Sequence, residues 1–442
     1  MTGRPVWPNR KLVPALLGCS GESLRNEYHA HKLIQPSKSL QSRIMRVLHI
    51  VHSYFPRIGG VEHHVQSILG KLVRQGVDPL VLTPRWSPDE LQYDVVDGVR
   101  VTREGLFGLM QNKPVSVRDV YRLGRWFKVI RAYEPDLIHV HGPFSPILGL
   151  PVRFASWMPV QILQALGLLG CPVIVTFHGL WAHYRNDEYD RDRKHVKVGS
   201  LFIGVDKAIC RDLTERFGVA TSKVDYIPNG VDNNTFHPAN KDLSLLRELG
   251  LSASDRVILV PRRVDPKNGI EFAVRAFARV SQQVPDAKMI LLGVGMGTSD
   301  AGYTGRIVSL IRGMGLDSRV ICHPGLPYGE MPRIYRLAEV TVIPSLWEAT
   351  SLAALESLAS GIPVIASRVG GLEDLIDESC GILVPPADAE SLADALCDLL
   401  TSHDARDHLA RGGSERAGSY DWSTVADRTL SVYKRAIGRK TP

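Results

Sequence analysis

From Met45 onward the chain states one grammar twice: a short β-branched-rich run, a turn rich in glycine or proline, then apolar residues at helical spacing. The first block opens with Arg46-Val-Leu-His-Ile-Val51, turns through Pro56, Gly59 and Gly60, and continues with Val61, Val65, Ile68 and Leu72 as far as Gly76. Leu80–Thr83, Asp136–Val140 and Val173–Phe177 supply further runs. The second block restarts at Arg256–Val260, with a helical segment from about Gly269 to Val284 and runs at Lys288–Leu292, Arg319–Cys322, Val340–Pro344 and Pro363–Ala366. Such runs, apolar on both faces and separated by helices, specify βαβ units and mostly parallel sheets. The expected class is therefore α/β, with two doubly wound domains joined near residues 230–250, where Tyr226–Asp232 and His237-Pro238 read as turn and linker.

The 442 residues suffice for two cores, and 44% apolar with 22% charged content is that of a globular chain. The net charge of +7 is concentrated: residues 1–44 carry +5 of it, so the body offers no nucleic-acid platform. Ordered-looking sequence begins at Met45, and residues 1–44 read as a disordered extension or a mis-assigned start. Six scattered cysteines (Cys19, Cys171, Cys210, Cys322, Cys380, Cys397) contain no Cys-x-x-Cys pair, which speaks against zinc and against a disulfide framework, and for a reducing cytosol. The weakly charged stretch Phe144–Val175 is broken by four prolines and contains Arg153, so it does not make a membrane span. Trp157, Met158, Ile162, Leu163, Leu166 and Leu169 suit a packed helix instead.

Ligands of open parallel sheets bind beyond the carboxyl ends of the strands, and four constellations stand there. In Ser345-Leu-Trp-Glu348-Ala-Thr-Ser-Leu-Ala-Ala-Leu-Glu356, two glutamates lie seven residues apart, about 12 Å along a helix axis. That exceeds the separation of about 5–5.5 Å in a retaining glycosidase. It suits two hydroxyl-bearing groups of one extended ligand, although solvated surface glutamates look the same in isolation. Arg262, Arg263 and Lys267 at a helix opening can surround a diphosphate and stabilise it as a leaving group, or form a solvated basic turn. Gly59-Gly60 lets backbone N–H groups approach a phosphate, or simply makes a tight turn. His178, in Thr176-Phe-His-Gly179, can bond a sugar hydroxyl or serve structure. His139 and His141 share a strand face and read as core or supporting residues, while His63-His64 reads as helix surface.

Two patterns mislead. Gly293-Val-Gly-Met-Gly297 follows a strand but lacks the Gly-x-Gly-x-x-Gly spacing and the acidic residue of a dinucleotide site. Asp190-Arg-Asp192 matches a metal-holding Asp-x-Asp but lies among Arg185, Arg191, Arg193 and Lys194, as a salt-bridged loop would.

Taken together these segments resemble family 4 (group 1) glycosyltransferases of the GT-B fold, from about Met45 to Ile437. The most specific stretch runs from Glu348 to Gly371, and Pro56–Glu62, Ile227–Asp232 and Gly381–Pro385 support it. The resemblance implies two Rossmann-like domains facing a cleft: 45–235 on the acceptor side and 236–420 binding the nucleotide sugar. Residues 421–442 would form a crossover helix and tail, with Trp422, Val425 and Tyr433 packing on the first domain. It implies a retaining, metal-independent hexosyl transfer with no cofactor. Glu356 would bind the donor ribose, Glu348 the transferred sugar with backbone at Thr350, Ser351 and Leu352, and Arg262 and Lys267 the diphosphate. Gly59 and Gly60 would approach the diphosphate from the first domain, and His178 the sugar. The acceptor is expected to be a lipid carrier, a polysaccharide or a small polyol. Basic and aromatic residues near Trp126, Trp157 and Trp181 are candidates to serve a membrane-embedded acceptor, and the expected location is the cytoplasm, with peripheral contact at the inner face of the membrane. An epimerase on the same fold and a non-catalytic sugar-nucleotide binder are the alternatives. Three departures concern the site: Thr350-Ser351 stands where relatives often carry Phe-Gly, Pro261 replaces a glycine, and Asn268 intervenes between Lys267 and Gly269. Arg262 is favoured over Arg263 by position.

Overall fold

A computed structural model describes residues 44–438 apart from 58, 106–107, 111–116, 143–151, 155–159, 161–162, 166, 168, 181–192, 194–195, 296–299 and 301, with backbone alone at 105, 108–110, 117–123 and 152–154. The first sheet contains β1 (Met45–Ile50), β2 (Val77–Arg85), β3 (Tyr93–Val96), β4 (Val99–Gly105), β6 (Leu137–Gly142), β8 (Val173–Phe177), β9 (Leu201–Gly204) and β10 (Val224–Tyr226). Their spatial order is β10-β9-β8-β6-β1-β2-β4-β3, parallel except for the β3–β4 hairpin. A separate antiparallel pair joins β5 (Gly108–Met110) and β7 (Val152–Phe154).

The second sheet comprises β11 (Arg256–Pro261), β12 (Ala287–Leu292), β13 (Val320–His323), β14 (Val340–Ile343), β15 (Val364–Ser367) and β16 (Gly381–Val384). It is wholly parallel in the order β13-β12-β11-β14-β15-β16. This is the doubly wound order, which reverses between β11 and β14 and opens a crevice there. The first sheet reverses on either side of β1, between β2 and β6.

Alternation along each strand builds two cores per sheet. Leu48 and Ile50 of β1 face a cluster with Trp126, Tyr133 and Phe177, whereas Val47 faces one with Ile68, Leu72, Trp422 and Tyr433. In β11, Ile258 and Val260 pack against the helix Ile270–Gln283, and Val257 and Leu259 against Tyr335, Leu355 and Leu358. Each fully buried aliphatic side chain contributes about 1.5–3 kcal/mol, so a one-residue register slip would reverse every one of these placements.

The chain passes between the sheets twice, and the passages are bonded to each other. Val231 N donates to Tyr420 O at 2.8 Å and Trp422 N to Val231 O at 3.3 Å. The terminal helix Trp422–Gly438 then lies on the first sheet beside the helix Gly60–Arg74, burying Trp422, Val425, Val432 and Tyr433. The described cysteines are all free, with Cys171 and Cys380 buried and Cys322 exposed. Among the described residues no helix is long and apolar enough to cross a membrane. The Trp157 and Trp181 positions lie outside the described residues, and Trp126 is fully buried in the core, so it cannot serve a membrane or an acceptor.

Candidate active site

The crevice of the second sheet is lined by the loops that leave β11 and β14. Gly269 stitches them together. It adopts φ +65°, and a Cβ there would come within 1.9 Å of the Pro344 carbonyl oxygen. Leu346 N donates to Lys267 O at 2.8 Å across the same contact. The stitching brings three of the expected residues into one cluster. Arg262 Nη2 ion-pairs with Glu348 Oε2 and also donates to Asn268 Oδ1 at 2.9 Å. Ser345 Oγ donates to the same Glu348 oxygen at 3.3 Å. Lys267 stands beside them, its pKa lowered by burial and also by Arg262, while Glu348 opposes the shift. Arg263 is exposed, its backbone covered by Gly293, whose missing Cβ leaves only 3.0 Å to the Arg263 Cα. Arg262 Nε is buried with no hydrogen-bond partner among the described residues. An unpaired buried guanidinium N–H is costly unless an acceptor arrives.

Glu348 lies before the helix Leu352–Ala359 and Glu356 within it, so the two carboxylates differ in setting. Glu356 is 7% exposed and accepts from Tyr335 OH at 2.8 Å and from the Tyr328 hydroxyl. Burial pushes its carboxyl up to about 7, and the two hydroxyls and Arg262 only partly restrain the rise. Ser351 caps this helix, its Oγ accepting from Ala354 N at 3.4 Å. Thr350 belongs to the domain junction: its hydroxyl donates to Val205 O, and its carbonyl accepts from Asn229 Nδ2 at 2.9 Å. Leu352 Cδ1 lies 4.0 Å from where a Gly60 Cβ would stand, so the Gly59-Gly60 turn faces the start of this helix. A Cβ on Gly59 would press to 2.4 Å from Glu62 Oε2, and Ser53 Oγ holds the other Glu62 oxygen at 2.6 Å.

His178 follows β8 and donates its backbone N–H to Gly142 O at 2.9 Å. Ala349 is buried in the same apolar cluster as Phe177 and Leu180, so the loop carrying Glu348 packs into the first-domain core from which the His178 loop emerges. Behind His178 lies a group of histidines. The period-2 alternation that turns Val47, Leu137 and Ile174 toward the terminal helix turns His49, His139, His141 and His178 the same way. His139 is held by Tyr433 OH at 2.6 Å and Thr176 Oγ1 at 2.7 Å. The expectation for His63-His64 is corrected: His64 is 3% exposed and bonds Asn229 Oδ1 through Nδ1 at 2.9 Å, and the His63 ring packs 4.1 Å from Tyr328. The signal was present, because His64 sits three residues after Val61 and four before Ile68, on the apolar face of its helix. Tyr328, Tyr335 and Asn229 had no such signal, since their roles come from partners distant in sequence, whereas Asn268 bonds Arg262, only six residues away.

Two sets of three histidines, His49 with His139 and His141 and His64 with His141 and His178, bring nitrogens within 4.8 Å of one another, the spacing at which a metal could be held. Asp190 and Asp192 lie outside the described residues, as does Met296-Gly297 of the glycine-rich run.

Residues 244–416 match the family described as glycosyl transferases group 1, and residues 58–235 match glycosyltransferase family 4. A D-inositol 3-phosphate glycosyltransferase of Streptosporangium roseum is 30% identical over 401 residues, covering 86% of this chain and 89% of that protein. Another, from Segniliparus rotundus, is 26% identical, with 86% and 85% covered. The sucrose-phosphate synthase of Thermosynechococcus elongatus superposes with a TM-score of 0.71 at 22% identity, covering 89% of this chain and 99% of that one. The Anabaena protein HepE, solved with UDP and glucose, gives 0.70 at 19% identity, with 88% and 100% covered. These likenesses establish the GT-B fold.

Proposed function

Because this chain belongs to the group 1, family 4 glycosyltransferases, we propose that it moves a hexose from a nucleoside-diphosphate sugar to an acceptor hydroxyl with retention of anomeric configuration and without a metal. The observation that carries this reading is the cluster at the crevice of the second sheet. Arg262 and Lys267 converge there on Glu348, and Arg262 Nε is a buried donor awaiting an acceptor. A diphosphate supplies that acceptor, and two cations stabilise the charge that builds on it as the sugar leaves. In this reading Glu356 takes the ribose hydroxyls, Glu348 and His178 the transferred sugar, and the Gly59-Gly60 turn approaches the diphosphate from the first domain. The acceptor hydroxyl attacks the face from which the nucleotide departs, and the leaving phosphate takes its proton, so no protein nucleophile is needed.

The inositol phosphate in the relatives' names supports a phosphorylated small polyol as the acceptor to try before a lipid carrier or a polysaccharide. We place the reaction in the cytoplasm, with any membrane contact peripheral. The test is incubation with UDP-, GDP- and ADP-hexoses, with and without inositol 3-phosphate, in the presence of a chelator, with the product's anomeric configuration read by NMR. A retained configuration in chelator is expected. Inversion or strict metal dependence overturns the mechanism. A sugar altered without acceptor would indicate an epimerase, and binding without turnover a non-catalytic protein.

A further inference from the structure

The buried histidines form a chain that ends at the site. His49 Nδ1 lies 3.2 Å from His141 Nε2, and His141 Nδ1 lies 3.2 Å from His178 Nε2. His49 and His141 are fully buried, whereas His178 is half-buried and keeps Nδ1 outside the chain. Burial lowers the pKa of all three, His49 to about 3, so each ring is neutral near pH 7 and carries one proton. Two neutral arrangements satisfy both contacts. Running inward, His178 donates to His141 and His141 to His49, which strands an N–H at His49 Nε2. Running outward, His49 donates to His141 and His141 to His178, which leaves a bare lone pair at His49 Nε2 and an N–H at His178 Nδ1.

His49 Nε2 decides between them, because it is buried with no partner among the described residues. An orphaned buried N–H is rarer and costlier than an under-used acceptor. The outward arrangement is therefore the stable one. The same accounting disposes of a metal. A metal on His141 Nδ1 would force the proton onto His141 Nε2 and strand the one on His49. The other set needs a nitrogen of His139, and both are taken by Tyr433 and Thr176.

We propose that His49 and His141 are positioning residues that fix His178 as its Nδ1–H tautomer, so that the first domain presents a hydrogen-bond donor, and not an acceptor, to an oxygen of the sugar donor. The tautomer follows from the chain alone; its use on the sugar rests on the reading given under Proposed function.

The experiment is two-bond ¹⁵N–¹H correlation of the full-length protein labelled at histidine, with His178 assigned through His178→Gln. The expected wild-type spectrum shows His178 purely Nδ1-protonated. His141→Leu loses that signature, and kcat falls by about 10²-fold with a smaller change in KM, as misorientation of a contacting group does. His141→Asn, whose amide N–H stands where Nδ1 stood, restores the tautomer and most of the rate. A wild-type His178 protonated at Nε2, an unchanged tautomer in His141→Leu, or resonances of His64, His141 and His178 that move together on adding zinc would each overturn the proposal. The wild-type spectrum decides even where the leucine variant does not fold. Spectra as expected, combined with full transfer by His178→Ala, would leave the chain intact and refute only the sugar contact.

Discussion

At Glu356 burial works against the proposed ribose contact at a single carboxyl. Its pKa is raised to about 7 from an ordinary 4.5, so between those values the native state holds a proton that the unfolded chain has lost. Its contribution to stability is therefore full below about 4.5 and is lost as pH rises through about 7. A ribose diol donates to the ionised form, so nucleoside diphosphate affinity is expected to rise from about pH 6 to about pH 8 and to flatten in Glu356→Gln. Calorimetric titration across that range checks this, and a flat wild-type profile contradicts it. At Arg262 one nitrogen, Nη2, serves both Glu348 and Asn268 and Nε is left for the proposed diphosphate, a spread of donors that a lysine lacks. Arg262→Lys is expected to lower kcat/KM by about 10²–10³-fold, nearly as much as Arg262→Ala. Steady-state kinetics of the two variants side by side decides whether Arg262 is more than a point charge. Arg262 was legible because a cation that directly follows an apolar strand stands out, whereas Glu356, inside a helix, was marked by its spacing from Glu348 and took its expected role only from the family resemblance. Tyr328 and Tyr335 were not legible, because nothing in a sequence says which carboxylate an aromatic hydroxyl will meet.

The elements explain why such loops hold their shape. Gly370 adopts φ +49°, and a Cβ there would come within 2.1 Å of the Glu348 carbonyl oxygen, which Gly371 N also bonds at 3.0 Å. Gly370→Ala is expected to displace the Glu348 loop. It should lose most of the activity while destabilising the fold by only about 1–3 kcal/mol, measured as turnover against denaturant midpoint. Full activity would show that this turn does not set the position of Glu348. The strands around the crevice were legible from composition, since a strand covered on both faces reads as a continuous apolar run. Between Arg85 and Asp136 no strand was expected. The hairpin there, β3 to β4, turns on Asp97-Gly98 with φ of +49° and +78°, a two-residue pair that in fact signals a tight turn. The flanking runs Tyr93–Val96 and Val99–Gly105 are short and half polar, which masks the strands on either side of that turn.

Across the whole molecule, two domains are held by a few contacts that also define the site. The Trp422 ring lies 5.4 Å from His64 and 5.9 Å from His63, and Gly230 is bare where a Cβ would meet Trp422 Cδ2 at 2.8 Å. The last helix thus supports the histidine-bearing face of the first sheet. Trp422→Ala is expected to cost about 3–5 kcal/mol of first-domain stability, and deletion from Asp421 onward to abolish transfer. Unfolding followed separately in each domain checks the first expectation, and an active truncation would contradict the second. The sequence carried the crossover only through its resemblance to a family, because a helix that closes on a distant domain has no local signature. The central claim, a nucleoside diphosphate gripped through Glu356 and Arg262, is tested most directly by thermal stabilisation with UDP, GDP, ADP and NAD, each without metal, beside Glu356→Ala. One nucleoside diphosphate is expected to raise the melting temperature, and the variant to lose that rise. Stabilisation by NAD alone, or a rise indifferent to Glu356, would contradict it.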